Sequence, residues 1–436
     1  MSDPAGRPKD ALYRRWRWQI FAITWLAYAG FYLTRKSFSV AKIELGEESG
    51  LGLSMVQMGW IEGANLTAYA YGQFLCGVWG DRYGTRKIVL TGMFGSVVTA
   101  AAMGASSTAS YLALWFGVQG LCQSAGWAPL SKNVAHFFSQ RERGSVMGLW
   151  CTNYSLGGFV ASVAAGYFGA QWGWRYAFFA PAGILLIIWV LFLRMQRNRP
   201  EDVGLPSIEV YHGEKEAVLE KSETPVEEPE GSWKVIVEVC RSPMVWLLAA
   251  VYFFIKPARY AILFWAPKYL NERLGTNMLQ SGALSGLFEL AGPLSVLAAG
   301  VISDRFFDAR RNPLSVICLI LLAAVLWELD RLPATGLMLG GCLFLIGFLL
   351  YAPDSLVSGT AAIDFGTKKG ASTASGLING CGSVGAIVGG TIPGFLHDRL
   401  GWNGLFQVLA VSVLIAGCLL LPKWNARPSL AERTSS

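Results

Sequence analysis

The stretch Gly77-Val78-Trp79-Gly80-Asp81-Arg82-Tyr83-Gly84-Thr85-Arg86-Lys87 closes one apolar run and opens the next. Much later, Gly300-Val301-Ile302-Ser303-Asp304-Arg305, followed by Arg310-Arg311, does the same. An aspartate–arginine pair among glycines and cations, set between apolar runs, reads as a short polar turn joining two membrane helices. Asp304 stands 223 residues beyond Asp81. Other landmarks keep nearly that interval: Arg259 is 224 beyond Arg35, Pro353 is 224 beyond Pro129, and Trp402 is 228 beyond Trp174. Gly126-Trp127-Ala128-Pro129 is echoed by Leu350-Tyr351-Ala352-Pro353, and Arg143-Gly144 by Lys369-Gly370. The chain reads as two similar halves in tandem.

Composition sets the class. The 436 residues are 53% hydrophobic and only 15% charged, with mean hydropathy +0.40. A soluble domain carries about 25% charged residues, and a membrane-spanning helix takes about 20 apolar ones. Twelve candidate spans emerge: Trp18–Ala41, Val56–Gly80, Ile88–Gly104, Tyr111–Ala135, Gly144–Ala170, Tyr176–Phe192, Met244–Pro267, Gly282–Ile302, Leu314–Leu326, Ala334–Val357, Ala371–Phe395 and Leu405–Leu421. The ninth is the shortest. The 50 glycines suit helices that approach through small residues. We expect an all-α membrane protein of twelve transmembrane helices in two pseudo-symmetric six-helix bundles. The bundles would occupy residues 1–196 and 243–436, joined by an acidic, Pro-containing linker at 197–242 that is too polar to fold alone.

With an even number of spans, both chain ends lie on one side. That side collects Arg14, Arg15 and Arg17, the Arg82–Lys87 cluster, Arg141 and Arg143, Arg305 to Arg311, and Lys368–Lys369. The opposite loops hold scattered cations, Lys42, Arg273 and Arg399. The positive-inside rule places both termini in the cytoplasm, in a membrane expected to be the bacterial inner one. The net charge of +7 is thus a topology signal, and nucleic acid is not an expected partner. Residues 1–9 show no cleavable leader. The eight cysteines form no Cys-x-x-Cys pair and the three histidines are far apart, so no metal and no cofactor are expected. There is no nucleotide-binding loop and no nucleophile–base–acid set, so an enzyme is not expected either.

Arg35 and Arg259 lie at matching depth in the first and seventh spans. An arginine at the bilayer centre costs about 3 kcal/mol or more, so such a residue normally faces a wet cavity and binds something. Two of them, one from each half, suit a small anion with two negative charges. Parallel repeats with a site at their interface describe alternating access. Helical spacing adds neighbours: Tyr28, Tyr32 and Ser39 share a face with Arg35, while Tyr252 and Lys256 share one with Arg259. Lys36, Asn65, Tyr69, Lys132, Glu289 and Asn379 are further cavity candidates. Ordinary packing is the competing reading for every tyrosine.

The Gly77–Lys87 stretch and its echo resemble the loop signature of the major facilitator superfamily. That resemblance makes Asp81, Arg82, Arg86, Asp304 and Arg305 conformational residues rather than ligands. A closer resemblance is to the organophosphate:phosphate antiporters of that superfamily. It is carried by Tyr13-Arg14-Arg15-Trp16-Arg17, Phe31-Tyr32-Leu33-Thr34-Arg35-Lys36-Ser37-Phe38, Gly126–Pro129, Arg141–Gly144 and Arg259-Tyr260-Ala261-Ile262. It implies that Arg35 and Arg259 bind phosphate between the halves, with a hexose-6-phosphate or glycerol-3-phosphate type of ester and inorganic phosphate as the exchanged substrates. A phosphate monoester is close to dianionic at neutral pH, and planar guanidinium groups match its oxygens. An empty site would hold two mutually repelling cations, which would resist closing and so enforce exchange.

The chain departs from the family pattern at several positions. Tyr154 stands where a histidine is usual, Phe264 where an acid precedes Trp265, and Gln73 where a lysine is usual. Glu62, Lys256 and Asp354 are extra intramembrane charges. We expect a rebuilt network pairing Lys36 with Glu62 and Lys256 with Glu289. Two rival readings remain: a membrane sensor of sugar phosphate, the only reading that brings a sensor-kinase partner, and a proton-coupled organic-anion symporter using Glu62, Glu289 or Asp354.

Overall fold

The computed structural model describes residues 6–138, 140–211, 237, 239–307, 310–357 and 371–425. Most of the Glu- and Pro-rich stretch and the cations Lys368 and Lys369 lie outside the described residues. The first half contains α1 (Gly6–Leu45), α2 (Met55–Tyr83), α3 (Thr85–Gly104), α4 (Ala109–Gln123), α5 (Trp127–Phe137), α6 (Gln140–Trp150), α7 (Thr152–Trp172) and α8 (Tyr176–Met195). A single turn, α9 (Ile208–Tyr211), follows. The second half contains α10 (Pro243–Leu274), α11 (Met278–Phe306), α12 (Arg311–Glu328), α13 (Gly336–Ser355) and α14 (Ala371–Leu420).

Seven of the described helices, α3, α8 and α10 to α14, are individually long and apolar enough to cross a membrane. The other crossings are legible for physical reasons. The interiors of α1 and α2 carry buried polar groups, among them Arg35, Lys36, Lys42, Glu62 and Asn65, which lower their hydropathy. The fourth crossing is split into α4 and α5, just ahead of Pro129, whose missing N–H cannot support a continuous helix there. The fifth is split into α6 and α7 at Cys151. Conversely, α14 holds two crossings folded about Gly401, which has φ 63°, a left-handed conformation that glycine adopts without strain. Twelve crossings in two bundles result. Large apolar side chains such as Ile187, Leu297 and Val301 are exposed, as expected where lipid replaces water.

The signature turn explains its own glycine. Gly84 alone joins α2 to α3 with φ 83°. The start of α3 is then fixed by Thr85 Oγ1 donating to Pro129 O (3.0 Å) and by Arg86 N donating to Asn198 Oδ1 (2.8 Å). The two halves also repeat a contact that their spacing hinted at. Glu44 accepts from the Trp174 backbone N–H at 2.8 Å, and Glu272, 228 residues later, accepts from Trp402 Nε1 at 2.6 Å. In each half, a carboxylate at the end of the first helix secures the start of the last.

Contacts between the halves among the described residues run from mid-membrane to the end remote from the chain termini, here the far end. There α1 packs on α10, α2 on α14 and α7 on α11. Backbones touch at glycines. A Cβ on Gly59 would stand 2.8 Å from Thr391 O, one on Gly166 2.6 Å from Met278 O, and one on Gly282 2.5 Å from Ser162 O. Trp60 and Phe395 meet edge to face across the same seam at 5.4 Å.

Candidate functional site

Arg35 is only 7% exposed. Its Nε donates to Gln123 Oε1 at 2.7 Å, and Gln123 in turn donates to Thr34 Oγ1 at 3.1 Å and to Phe31 O at 3.4 Å. Gln123 is the last residue of α4, so the break in the fourth crossing presents this amide to α1. The guanidinium also lies over the rings of Tyr69 (4.6 Å) and Tyr32 (4.9 Å), contacts that stabilise a desolvated cation. Its Nη2 is buried and lacks an acceptor.

Arg259 is held differently. Its Nη1 donates to Asp354 Oδ2 at 2.6 Å. It lies over Tyr351 of its own half (4.8 Å) and over Tyr154 of the other half (5.7 Å). Tyr154 and Tyr351 stack with their centroids 6.3 Å apart, so an aromatic pair spans the seam beside this arginine. Arg259 Nε is buried and without an acceptor. Each arginine therefore keeps one unsatisfied donor in the interior, which is costly for a charged group.

The ion pairs correct the expected network. Lys36 pairs with Glu289 of the opposite half (3.4 Å), not with Glu62. Glu62 pairs with Lys42 at 2.8 Å, both fully buried. Lys256 pairs with Asp354 at 3.2 Å, not with Glu289. Lys42 is thus no loop cation: helix α1 continues to Leu45 and turns its side chain inward, with Nζ over the Trp265 ring at 3.9 Å. The expectation of two bare, repelling cations also needs correction, because Asp354 offsets Arg259.

Phe264 offers the seam no carboxylate where the family resemblance leads us to expect one, and backbone oxygen accepts there instead. Pro267 has no N–H to give to the carbonyl four residues earlier, which is that of Leu263. Lys36 Nζ fills this carbonyl at 2.5 Å. Lys42 Nζ (3.1 Å) and Ser39 Oγ (2.8 Å) donate to the neighbouring Phe264 O. Three side chains of one half thus bind the main chain of the other.

The remaining candidates divide. Asn65 is 2% exposed, but its Nδ2 donates to Phe116 O at 2.8 Å and ties α2 to α4. Lys132 and Asn379 are exposed on α5 and α14. Arg82 and Arg305 are exposed, with Arg82 over Tyr83 at 5.4 Å. Arg86 donates to Leu193 O and Gln196 O, fastening the end of α8 within its own half. The side chains of Asp81 and Asp304 lie outside the described ones. Gln123, Lys42 and Tyr351 are absent from the sequence-based candidates. Gln119 and Gln123, two amides one helical turn apart in an apolar span, were the available signal for the first of these.

The central region therefore joins paired and unpaired charge at the contact of two repeated helical bundles, with the Asp-Arg turn at the same place in each. The chain belongs to the Major Facilitator Superfamily. The family model for the Major Facilitator Superfamily matches residues 24–362. Within the superfamily, the chain is a member of the organophosphate:phosphate antiporter family. It is 33% identical to the glycerol-3-phosphate transporter of Bacillus subtilis, over 95% of this chain and 94% of that protein. It is 32% identical to the probable hexose phosphate transport protein of Chlamydia trachomatis, over 98% and 94%. It is 28% identical to the membrane sensor protein UhpC of Escherichia coli, over 96% and 94%. Among solved structures, a bacterial homologue of the human lysosomal transporter Spinster, in an inward-facing and unoccupied conformation, superposes with TM-score 0.71. That likeness covers 96% of this chain and 97% of that one at 14% identity, and it bears on the superfamily fold alone. Like its relatives in the superfamily, the chain is an integral, multi-pass membrane protein.

Proposed function

We propose that the chain exchanges a phosphorylated small organic molecule for inorganic phosphate by alternating access. The observation that carries this reading is the pair of interior guanidinium groups, one from each half, each with a buried donor left unsatisfied: Arg35 Nη2 and Arg259 Nε. A phosphate dianion seated between them supplies both missing acceptors. The charge count agrees. Among the described residues of this central region, five cations (Arg35, Lys36, Lys42, Lys256, Arg259) face three carboxylates (Glu62, Glu289, Asp354), which leaves two positive charges for one dianion. The names of the relatives, a glycerol-3-phosphate transporter and a hexose phosphate transport protein, point to the same class of ester.

Tyr32, Tyr69 and Tyr154 line the arginines and direct hydroxyl-bearing rings toward the ligand in this reading. The termini face the cytoplasm, the sealed far end faces outward, and the form described is open inward. Residues 197–242 tether two bundles that rock about the site, and the Asp81 and Asp304 turns act on the cytoplasmic side. No chemical step is assigned to the protein.

The test is uptake of labelled phosphate into phosphate-loaded proteoliposomes, with glycerol-3-phosphate and hexose-6-phosphate as competitors. Exchange that is lost in Arg35→Lys and Arg259→Lys, and inhibited by one ester, supports the reading and names the substrate. Ester binding without exchange favours the sensor reading. Uptake driven by a pH gradient without internal phosphate favours the proton symporter.

A further inference from the structure

The two arginines are held by unlike partners. Arg35 leans on a neutral amide, Gln123 Oε1 at 2.7 Å, whereas Arg259 is held by a carboxylate, Asp354 Oδ2 at 2.6 Å. The other oxygen of that carboxylate, Oδ1, lies 3.2 Å from Lys256 Nζ. Lys256 and Arg259 are three residues apart on α10 and share a face. Asp354 comes from α13, follows Pro353, and is 6% exposed. One carboxylate is therefore suspended between a cation aimed at the seam and a second cation on the same helix, with Lys256 also resting over Tyr252 at 4.4 Å.

We infer that Asp354 is the resident counter-anion of the substrate site: it occupies Arg259 when the site is empty and yields the guanidinium to an arriving phosphate while keeping Lys256. The inference rests on the reading of Arg35 and Arg259 as an anion seat. Its physical content is competition. A dianion on Arg259 sits beside the carboxylate, and like charges in a site of low dielectric repel strongly. Asp354 thus weakens phosphate binding and speeds its release. It also spares the empty carrier an unpaired, largely desolvated guanidinium, which is otherwise unfavourable. Asp354 is then a positioning residue that acts through Arg259, and it sets affinity and turnover in opposite directions.

The experiment uses the full chain in nanodiscs and proteoliposomes, with inorganic phosphate as the probe, for wild type, Asp354→Asn and Lys256→Gln. Removing the competing charge makes Asp354→Asn bind phosphate about tenfold tighter or more, with saturating exchange slowed by a comparable factor as release becomes limiting. KM and kcat fall together, a signature that damaged folding does not produce. Lys256→Gln leaves Asp354 wholly to Arg259 and weakens phosphate binding by about tenfold. Binding by Asp354→Asn that is unchanged or weaker, in a wild type that binds phosphate, overturns this inference and leaves the anion seat standing. A wild type that binds no phosphate overturns the seat and this inference with it. If Asp354→Asn does not fold, the charge-neutral double variant Asp354→Asn/Lys256→Gln is compared with Lys256→Gln: tighter phosphate binding in the double variant supports the inference, and equal or weaker binding overturns it.

Discussion

Replacing Gly282 by alanine should open the far end. The glycine lies on α11 against α7 of the other half. A Cβ there would stand 2.5 Å from Ser162 O and 3.3 Å from Ser162 C, with Gly166 Cα at 3.6 Å. All three neighbours belong to the opposite half and are backbone, so no rotamer change relieves the clash. The helices must separate by about 1 Å to restore van der Waals contact, or the seal must bear overpacking worth about 1–3 kcal/mol. The three atoms nearest this methyl all lie across the seam, so the penalty falls as the far end opens. With about 1.4 kcal/mol per factor of ten, the closed-to-open ratio falls by about 5- to 150-fold. Spin labels at the exposed far-end positions Glu48 and Arg399 report the change as a longer distance population, in a background with the exposed Cys240 and Cys418 replaced. Gly341→Ala, whose Cβ meets nothing within 4 Å, is the control. An unchanged distance distribution in a folded Gly282→Ala protein would refute the argument that the glycine seam holds this state.

Two further outcomes follow from charge placement. Lys42→Met leaves the Glu62 carboxylate fully buried without its partner and should cost about 3–5 kcal/mol. It should lower the thermal midpoint in detergent, and adding Glu62→Gln should restore much of the loss; a double variant no better than the single one would contradict this. His397 lies in the far-end turn of α14, between the crossings at 371–395 and 405–421. The Glu272 carboxylate, 3.4 Å from its Nε2, raises its pKa by hydrogen bonding against the opposing effect of burial. A raised folded-state pKa gives stability that is complete below the ordinary histidine value and lost as pH rises through the folded one. The midpoint difference between wild type and His397→Gln should therefore shrink from about pH 5.5 to 8.5, and a difference that grows with pH would reverse the sign.

Much of the architecture was written into apolar runs and their repetition. The offsets near 224 located equivalent residues in each half, and Glu44–Trp174 and Glu272–Trp402 show that the equivalence reaches single contacts. The breaks at Ser124 and Cys151 were less legible, because apolar composition continues through them and only Pro129 hinted at one. The interior position of Arg35 and Arg259 followed from their depth. Their partners did not, since a side chain four or five bonds long reaches several helices and the sequence does not say which. For Lys36 the expected partner is Glu62 and the observed one Glu289; for Lys256 they are Glu289 and Asp354. Lys42 reads as a loop residue because span length alone does not reveal where a helix stops. The amide of Gln123 is inconspicuous among its apolar neighbours.

The Pro267 gap in α10 has a consequence for mutational tolerance. Leu263 O and Phe264 O are main-chain atoms, so no side-chain replacement at those two positions deletes the acceptors that Lys36, Ser39 and Lys42 reach. The accepting surface is blind to residue identity, so Phe264 need not supply a carboxylate. Its vulnerable point lies elsewhere: any other residue at 267 would restore an N–H and let the helix reclaim the Leu263 carbonyl for itself. A latch of this kind is inherited through a backbone defect, and its integrity would be invisible to any comparison that scores only the residues in contact.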